Sequence, residues 1–500
     1  MWGMFFKRKG HMNSKLSKIV SLATLVVTLT GARQAIAQSA PASKPPSVTL
    51  AGTPAAKSWT GDFDGMVKRR LIRILTPYSK THYFIDRGVQ RGLVFDAGTM
   101  LEAALNKKLK TGLTDHLYVV CVPTTRDELY QALVDGRGDI VAAPVTITPE
   151  RQKLVDFTAP TWKGVKEVLV TGPGASIVTT ADDLSGKIVS VRVPSIYAES
   201  LDALNVSLKQ RGKAPVVIKA LPGSLEDEDI LEMVNAGLVK ATVVQDFTAR
   251  FWKQVLPSIT VHETITLREG ADLGWVVRKD SPKLLAELNP LVVATSAGSA
   301  ARNMALRKYL QSTKFVKNAT ADAEIAKFRS LVELFRKYGQ QYDMDFLLMV
   351  AQGYQESQLD NNAKSHVGAI GVMQIMPATG KELKVGDIRQ VEANINGGVK
   401  YMRKLIDTYF PGDEMTRLDK GLMAFASYNA GPARIRSLRK EAERQGLNPN
   451  VWFNNVERVV AEKVGRETVN YVSNIYKYYV AYTLTMEELK VKTAAKASVK

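Results

Sequence analysis

The sequence predicts two folded parts in succession: an α/β module of two lobes over residues 66–312, then a mostly helical module over residues 313–485. Three observations carry that expectation. Short apolar runs alternate with amphipathic stretches from Leu71 to Val244, the pattern of strands and helices built into a sheet. Beyond about Ala297 the strand pattern stops, and helical periodicity continues to about Tyr482. The chain has 500 residues, more than one ordinary domain, so two or three cores are expected. A hydrophobic fraction of 45% with 23% charged residues is ordinary for a soluble globular protein.

The N-terminus comes first. Lys15 and Lys18 precede a short apolar run, Ile19 to Leu29, and then Ala35-Ile36-Ala37. A basic region, a short apolar core and a small-x-small site read as a secretory signal peptide over residues 1–37. The run is too short for a comfortable transmembrane helix. No Cys lies near the cleavage site to carry a lipid. Residues 38–65, rich in Ala, Ser and Pro at their start, read as a disordered leader. The single cysteine, Cys121, sits in the apolar run Tyr118 to Val122 and reads as buried. Export without an intrachain disulfide suits a bacterial periplasm.

Strands are expected at Leu71–Leu75, Tyr118–Val122 and Ile140–Ala143, with helices at Gly98–Leu109 and Arg126–Val134. A second set follows: strands at Ile188–Val193, Val216–Ala220 and Ala241–Val244, with helices at Ala198–Gln210 and Glu226–Ala236. The sheet is expected to be largely parallel, and two such lobes form a cleft that suits a small ligand. Met304–Tyr309 and Ala323–Tyr338 read as helical connectors. Helices are then expected at Asp345–Ser357, Ile395–Tyr409, Lys420–Tyr428 and Glu467–Tyr482. In the last, Tyr471, Ile475 and Tyr478 form one stripe, read as core. Residues 486–500 read as a loose basic tail. Formal net charge is +19, and much of the excess lies at the two ends. No nucleic-acid motif accompanies it, so no nucleic-acid partner is expected; surface charge favouring an anionic envelope is.

One stretch carries chemistry. The helix over Asp345–Ser357 opens with six apolar residues, Phe346 to Ala351, and ends on a lone carboxylate, Glu356. Such a carboxyl is either a desolvated general acid, its pKa raised by burial, or an ordinary helix end. Nearby acids, Asp360 and Glu382, lack the setting of a second catalytic carboxylate.

Glu356-Ser357, Gly371-Val372-Met373-Gln374, Gly397-Gly398 before Tyr401, Ala426-Ser427-Tyr428-Asn429-Ala430-Gly431 and Glu467-Thr468 before Tyr471 follow one another over roughly 130 residues. Together they resemble the motifs of lytic transglycosylases with a goose-type lysozyme fold. The resemblance implies a single acid/base, Glu356, and no metal or cofactor. Ser357 would orient Glu356 or the substrate's N-acetyl group, or else cap the helix. Gln374 and Asn429 would bond sugars, or else be satisfied amides. Tyr428 would sit beside the reacting sugar, or else pack in the core. Met373 would line the pocket, and Glu467 would contact substrate or simply start a helix.

In the first module, Gly136-Arg137-Gly138-Asp139-Ile140, Thr146-Ile147-Thr148-Pro149-Glu150-Arg151, Val155-Asp156-Phe157-Thr158-Ala159-Pro160 and Gly274-Trp275-Val276-Val277-Arg278-Lys279-Asp280 resemble periplasmic amino-acid-binding proteins, solute-binding family 3. The resemblance implies that Arg151 clamps a ligand carboxylate, that Thr146 assists, and that Asp246 takes an ammonium. Pro194-Ser195-Ile196 carries one hydroxyl where two are usual, which leaves the ligand open. The combination resembles the lytic murein transglycosylase F family, with an α/β binding-protein-like domain followed by an all-α (α+β) lysozyme-like domain. Expected partners are peptidoglycan strands and a small amino-acid or muropeptide ligand. Members are usually outer-membrane lipoproteins or membrane-associated; without a lipidated Cys, the expectation here is a soluble periplasmic form or one held by an uncut signal segment, with peripheral outer-membrane association left open. Two rivals remain: a hydrolytic muramidase, and a non-enzymatic sensor or solute-binding protein.

Overall fold

A computed structural model describes residues 55, 57–86, 88–295, 297–313, 322–412 and 414–499, with the side chains of 322–329 left out. The expected signal peptide lies outside the described residues, as does most of the expected leader.

The last part of the expected leader, residues 57–65, is folded, because apolar anchors begin there. The Trp59 ring lies under the Arg69 guanidinium at 3.9 Å, and its backbone N–H donates to the Gly136 carbonyl at 2.9 Å. The helix Phe63–Arg69 follows, capped by Asp62, whose carboxylate also accepts from the Lys283 and Leu284 N–H groups at 2.9 Å each. Phe63 and Met66 are buried.

The first module is built on one seven-stranded sheet. Leu71–Thr76 pairs in parallel with Tyr118–Pro123 and Ile140–Thr146. The expectation of a largely parallel sheet fails beyond this point. Trp162–Thr171 and the 19-residue strand Thr260–Arg278 run antiparallel to each other, and each also pairs antiparallel with a neighbour. The sequence reading missed most of both strands. Their lengths follow from topology. The chain must leave the first lobe and return to it, and extended strands are what cross over. In the second lobe Ile188–Arg192 and Val217–Leu221 form a parallel pair. Cys121 is buried in the first-lobe core, and burial pushes its thiol up to about 12.

Ion pairs cross between the lobes. Arg126 grips Glu226 with two bonds of 2.8 and 2.6 Å, Arg151 meets Glu199 at 3.1 Å, and Lys80 pairs with Glu232.

The second module is helical. Phe346–Ser357 packs on Asp322–Gln341 and on a long C-terminal helix, Arg466–Val499. That last helix overturns the expected loose tail. It runs unbroken through residue 486, and Lys492 and Ala495 are buried. The lysines that looked like solvated surface charge are taken up by the acidic start of the second-lobe helix Asp227–Asn235. Lys496 reaches Asp229 at 2.6 Å and Glu232 at 3.2 Å, and Lys492 lies 3.5 Å from Asp229. One helix thereby places Val472 and Ile475 in the core of its own module, Ala481 in the first-lobe core and Ala495 in the second.

A buried ion pair joins the modules: Arg70 bonds Glu457 at 3.0 and 3.2 Å, with Glu457 1% exposed. Arg70→Met strands that carboxylate in the interface. The expected cost is about 3 kcal/mol, seen as a lower thermal midpoint. An unchanged midpoint would show that the pair contributes nothing to docking.

Candidate active site

Glu356 sits in the last turn of Phe346–Ser357, a helix started by Asp345, whose carboxylate accepts from the Leu347 and Leu348 N–H groups. The apolar run ahead of it is buried, from Leu347 to Ala351. The acid is therefore delivered to the edge of a core. It is partly buried, and desolvation raises its pKa to about 7 against a smaller opposing effect from Tyr471, whose hydroxyl donates to Oε1. A carboxylic acid poised there can give and take a proton near neutral pH. Of the two other acids near in sequence, Asp360 and Glu382 are both exposed, and Glu382 pairs with Lys404.

Tyr471 corrects the sequence reading. It is buried as expected, yet its hydroxyl serves the acid rather than only filling the core. Behind it Gln352, fully buried four residues before Glu356, offers its Nε2 to the Tyr471 oxygen at 3.5 Å. No local pattern singles out that amide, which follows an apolar run directly.

The turn that faces Glu356 is held from three sides. Ser357 Oγ donates to the Val372 carbonyl at 2.8 Å, with the Gly353 carbonyl 3.3 Å away as the weaker alternative acceptor, so it ties helix to turn. Tyr428 Oη donates to the Met373 carbonyl at 2.7 Å. Burial holds that phenol well above its usual range, and the Glu356 charge adds to the effect. Asn394, which the sequence reading missed, is the hub. It accepts from the Met373 N–H at 2.8 Å and donates to the Ile370 and Ile388 carbonyls at 2.9 Å each. Gly371 must be glycine here: its φ is +79°, and a Cβ would come within 2.4 Å of the Asn394 amide.

Met373 does not line a pocket. It is fully buried, packed on Gly398, where a Cβ would meet its Cγ at 2.5 Å. Its backbone, not its side chain, serves the turn. Gln374 adopts a left-handed φ of +45° and closes the turn through Nε2, on the carbonyls of Gly371 at 2.9 Å and Ala363 at 3.1 Å. Asn429 is exposed and accepts from Thr468 Oγ1 at 2.7 Å. Glu467, next to that threonine, is exposed at the helix start. The motif's working link there is Thr468.

In the first module the expected clamp is already engaged with the protein itself. Arg151 donates to the Thr146 carbonyl at 3.0 Å and to Glu199 at 3.1 Å; Asp246 accepts from Arg250 at 2.7 Å. Thr146 is buried.

A two-lobed, binding-protein-like module joined to a helical module that holds an acid raised by burial defines a class of two-module protein. The transglycosylase SLT domain matches residues 333–450, and the bacterial extracellular solute-binding proteins, family 3, match residues 76–310. The membrane-bound lytic murein transglycosylase F of Ectopseudomonas mendocina is 26% identical over 427 residues, covering 82% of this chain and 83% of the relative. That of Desulfosudis oleivorans is 27% identical over 428 residues, covering 82% and 89%. An ancestral arginine-binding protein bound to arginine superposes with a TM-score of 0.39 at 24% identity, covering 48% of this chain and 98% of that one. Both domains, in this order, are thus matched, and the chain is similar over 82% of its length to proteins of the lytic murein transglycosylase F family.

Proposed function

We propose that the chain is a peptidoglycan lytic transglycosylase that cuts the β-1,4 bond between N-acetylmuramic acid and N-acetylglucosamine without water, leaving 1,6-anhydro ends. The observation that carries the reading is Glu356: one acid raised to about 7 by burial and bonded by Tyr471, with no neighbouring carboxylate contributing to the shift. A two-carboxylate hydrolase needs a second acid across the scissile bond. Glu356 protonates the bridging oxygen, which leaves with the departing sugar. The substrate's own N-acetyl group stabilises the cationic C1. Glu356, now ionised and held by Tyr471, takes the proton of the C6 hydroxyl as that oxygen closes onto C1. The proton given is regained, and no other reactant is consumed. Gln374 and Asn429 present their free amide ends to the sugars, and Tyr428 stands at the reacting ring.

The first module binds a small ligand, an amino acid or cell-wall peptide, at Thr146, Arg151 and Asp246. The ligand's carboxylate displaces Glu199 from Arg151 and so loosens a cross-lobe contact. Support for coupling comes from the C-terminal helix, which runs from Tyr471 to the second-lobe acids. An envelope location accords with the family. Among the described residues no helix is long and apolar enough to cross a membrane.

Mass spectrometry of purified sacculi treated with the protein tests the chemistry. Anhydro-muropeptides are expected. Reducing ends would move the reading to a muramidase, and no product in the presence or absence of muropeptides would move it to a binding protein.

A further inference from the structure

The first module holds a cavity used by neither the glycan site nor the Arg151 cluster. It lies between the helices Leu93–Leu109 and Pro282–Ala294, with the short helix Ala300–Leu306 as its outer wall. Leu93, Ala97, Trp275, Leu291 and Ala305 make it largely apolar, while Thr146, Arg151 and Asp246 are not in its walls. Its volume is about 130 Å³. An apolar hole of roughly 150 Å³ is known to take a benzene ring.

One cation stands at its edge. The Arg302 guanidinium stacks 3.9 Å from the centre of the Trp162 ring, which stacks in turn on Phe247 at 4.3 Å. Nη1 donates to the Thr161 carbonyl at 2.8 Å. No described carboxylate pairs with this arginine, and burial alone holds it below the usual guanidinium range. A guanidinium carries five N–H donors in a flat fork that matches a carboxylate. Among the described residues most of that fork has no acceptor, beside an apolar cavity. The only acid among the described residues of the walls, Asp96, is bound to Lys308 at 2.8 Å. The wall therefore answers an anion and offers no free acid to an ammonium.

We propose that this cavity is a second ligand site of the first module, taking a small organic carboxylate with a compact apolar group of about six carbons, its carboxylate on Arg302. A plain carboxylate fits better than a zwitterionic amino acid. The site does not depend on the glycan chemistry.

Ligand-observed saturation-transfer NMR on the full chain, with benzoate and its uncharged counterpart benzyl alcohol, tests it. Benzoate is expected to bind in the millimolar range and about tenfold more tightly than benzyl alcohol. Arg302→Met keeps an apolar surface on Trp162 and should reduce benzoate to the level of the alcohol. Ala305→Phe fills the cavity and should abolish both, and it decides the matter should Arg302→Met fail to fold. The proposal is overturned by any of three results: no saturable benzoate signal, equal binding of the alcohol, or binding that survives Ala305→Phe. Loss in Arg151→Met with retention in Arg302→Met would overturn it too, by assigning the carboxylate to the other site. Glycan cleavage is not read in this experiment, so its failure leaves the transglycosylase reading untouched.

Discussion

Glu356→Gln is expected to cut anhydro-muropeptide release by at least a thousandfold, roughly the share of a general acid and base removed together, while making the fold more stable at alkaline pH. The sign follows from the raised pKa. Glu356 ionises near 4.5 in the unfolded chain and near 7 in the folded one. Below the lower value both states carry the proton and burial costs nothing on this account. As pH rises through the interval the unfolded chain ionises first, and the folded state loses stability until it has ionised too. Above about pH 7 the native chain carries the full penalty, on the order of 3 kcal/mol before allowance for the carboxyl's partial exposure. The amide of the variant carries no charge and escapes it, and Tyr471 can still donate to the amide oxygen. Thermal midpoints of the two proteins should therefore agree near pH 4.5 and diverge, with the variant higher, near pH 8. A variant that is no more stable at high pH would mean that the carboxylate is well solvated, which would remove the physical basis for its role as an acid.

Tyr471→Phe is expected to lower turnover about ten- to a hundredfold, the worth of one hydrogen bond to a charged group. The same change moves the alkaline limb of the pH–rate profile upward. The hydroxyl favours the ionised form of Glu356, so its removal raises the pKa further above 7. Step two, in which the carboxylate must accept the C6 proton, loses its stabilising donor. Phe preserves the packing of this buried position, although Gln352 loses the oxygen its amide faces. A modest loss of stability, about 1–3 kcal/mol, should accompany the kinetic change. A limb that stays in place while turnover falls would reduce Tyr471 to a packing residue.

Much of the site was legible in the sequence because its parts are local. Glu356 and Ser357 stand at the end of an apolar helical run, and Gly371 to Gln374 form a turn whose glycine is required by a left-handed φ. The two lobes were legible from alternating strands and helices, whose cores close locally. Other features escaped for a common reason: they depend on what a side chain meets far along the chain. Asn394 reads as one amide in an amphipathic helix, and only packing brings it against Met373, Ile370 and Ile388. Tyr471 reads as one ring of a core stripe until the fold sets its hydroxyl on an acid 115 residues away in sequence. Met373, a pocket residue by motif, is turned inward by the close approach of Gly398.

The sequence by itself determined the order of the modules, the helix that carries Glu356 and the turn that faces it, since helix periodicity, capping and glycine φ are local properties of the chain. Tertiary structure decided the rest. It set the antiparallel strands that cross between lobes, because return crossings are fixed by where a strand must end, not by its own composition. It turned a basic tail into a helix locked on the second lobe, because Lys492 and Lys496 find Asp229 only after both modules have folded. It also filled the amino-acid clamp with the protein's own charges, Glu199 on Arg151 and Arg250 on Asp246. Which partner a charge takes depends on distances that exist only in the folded chain.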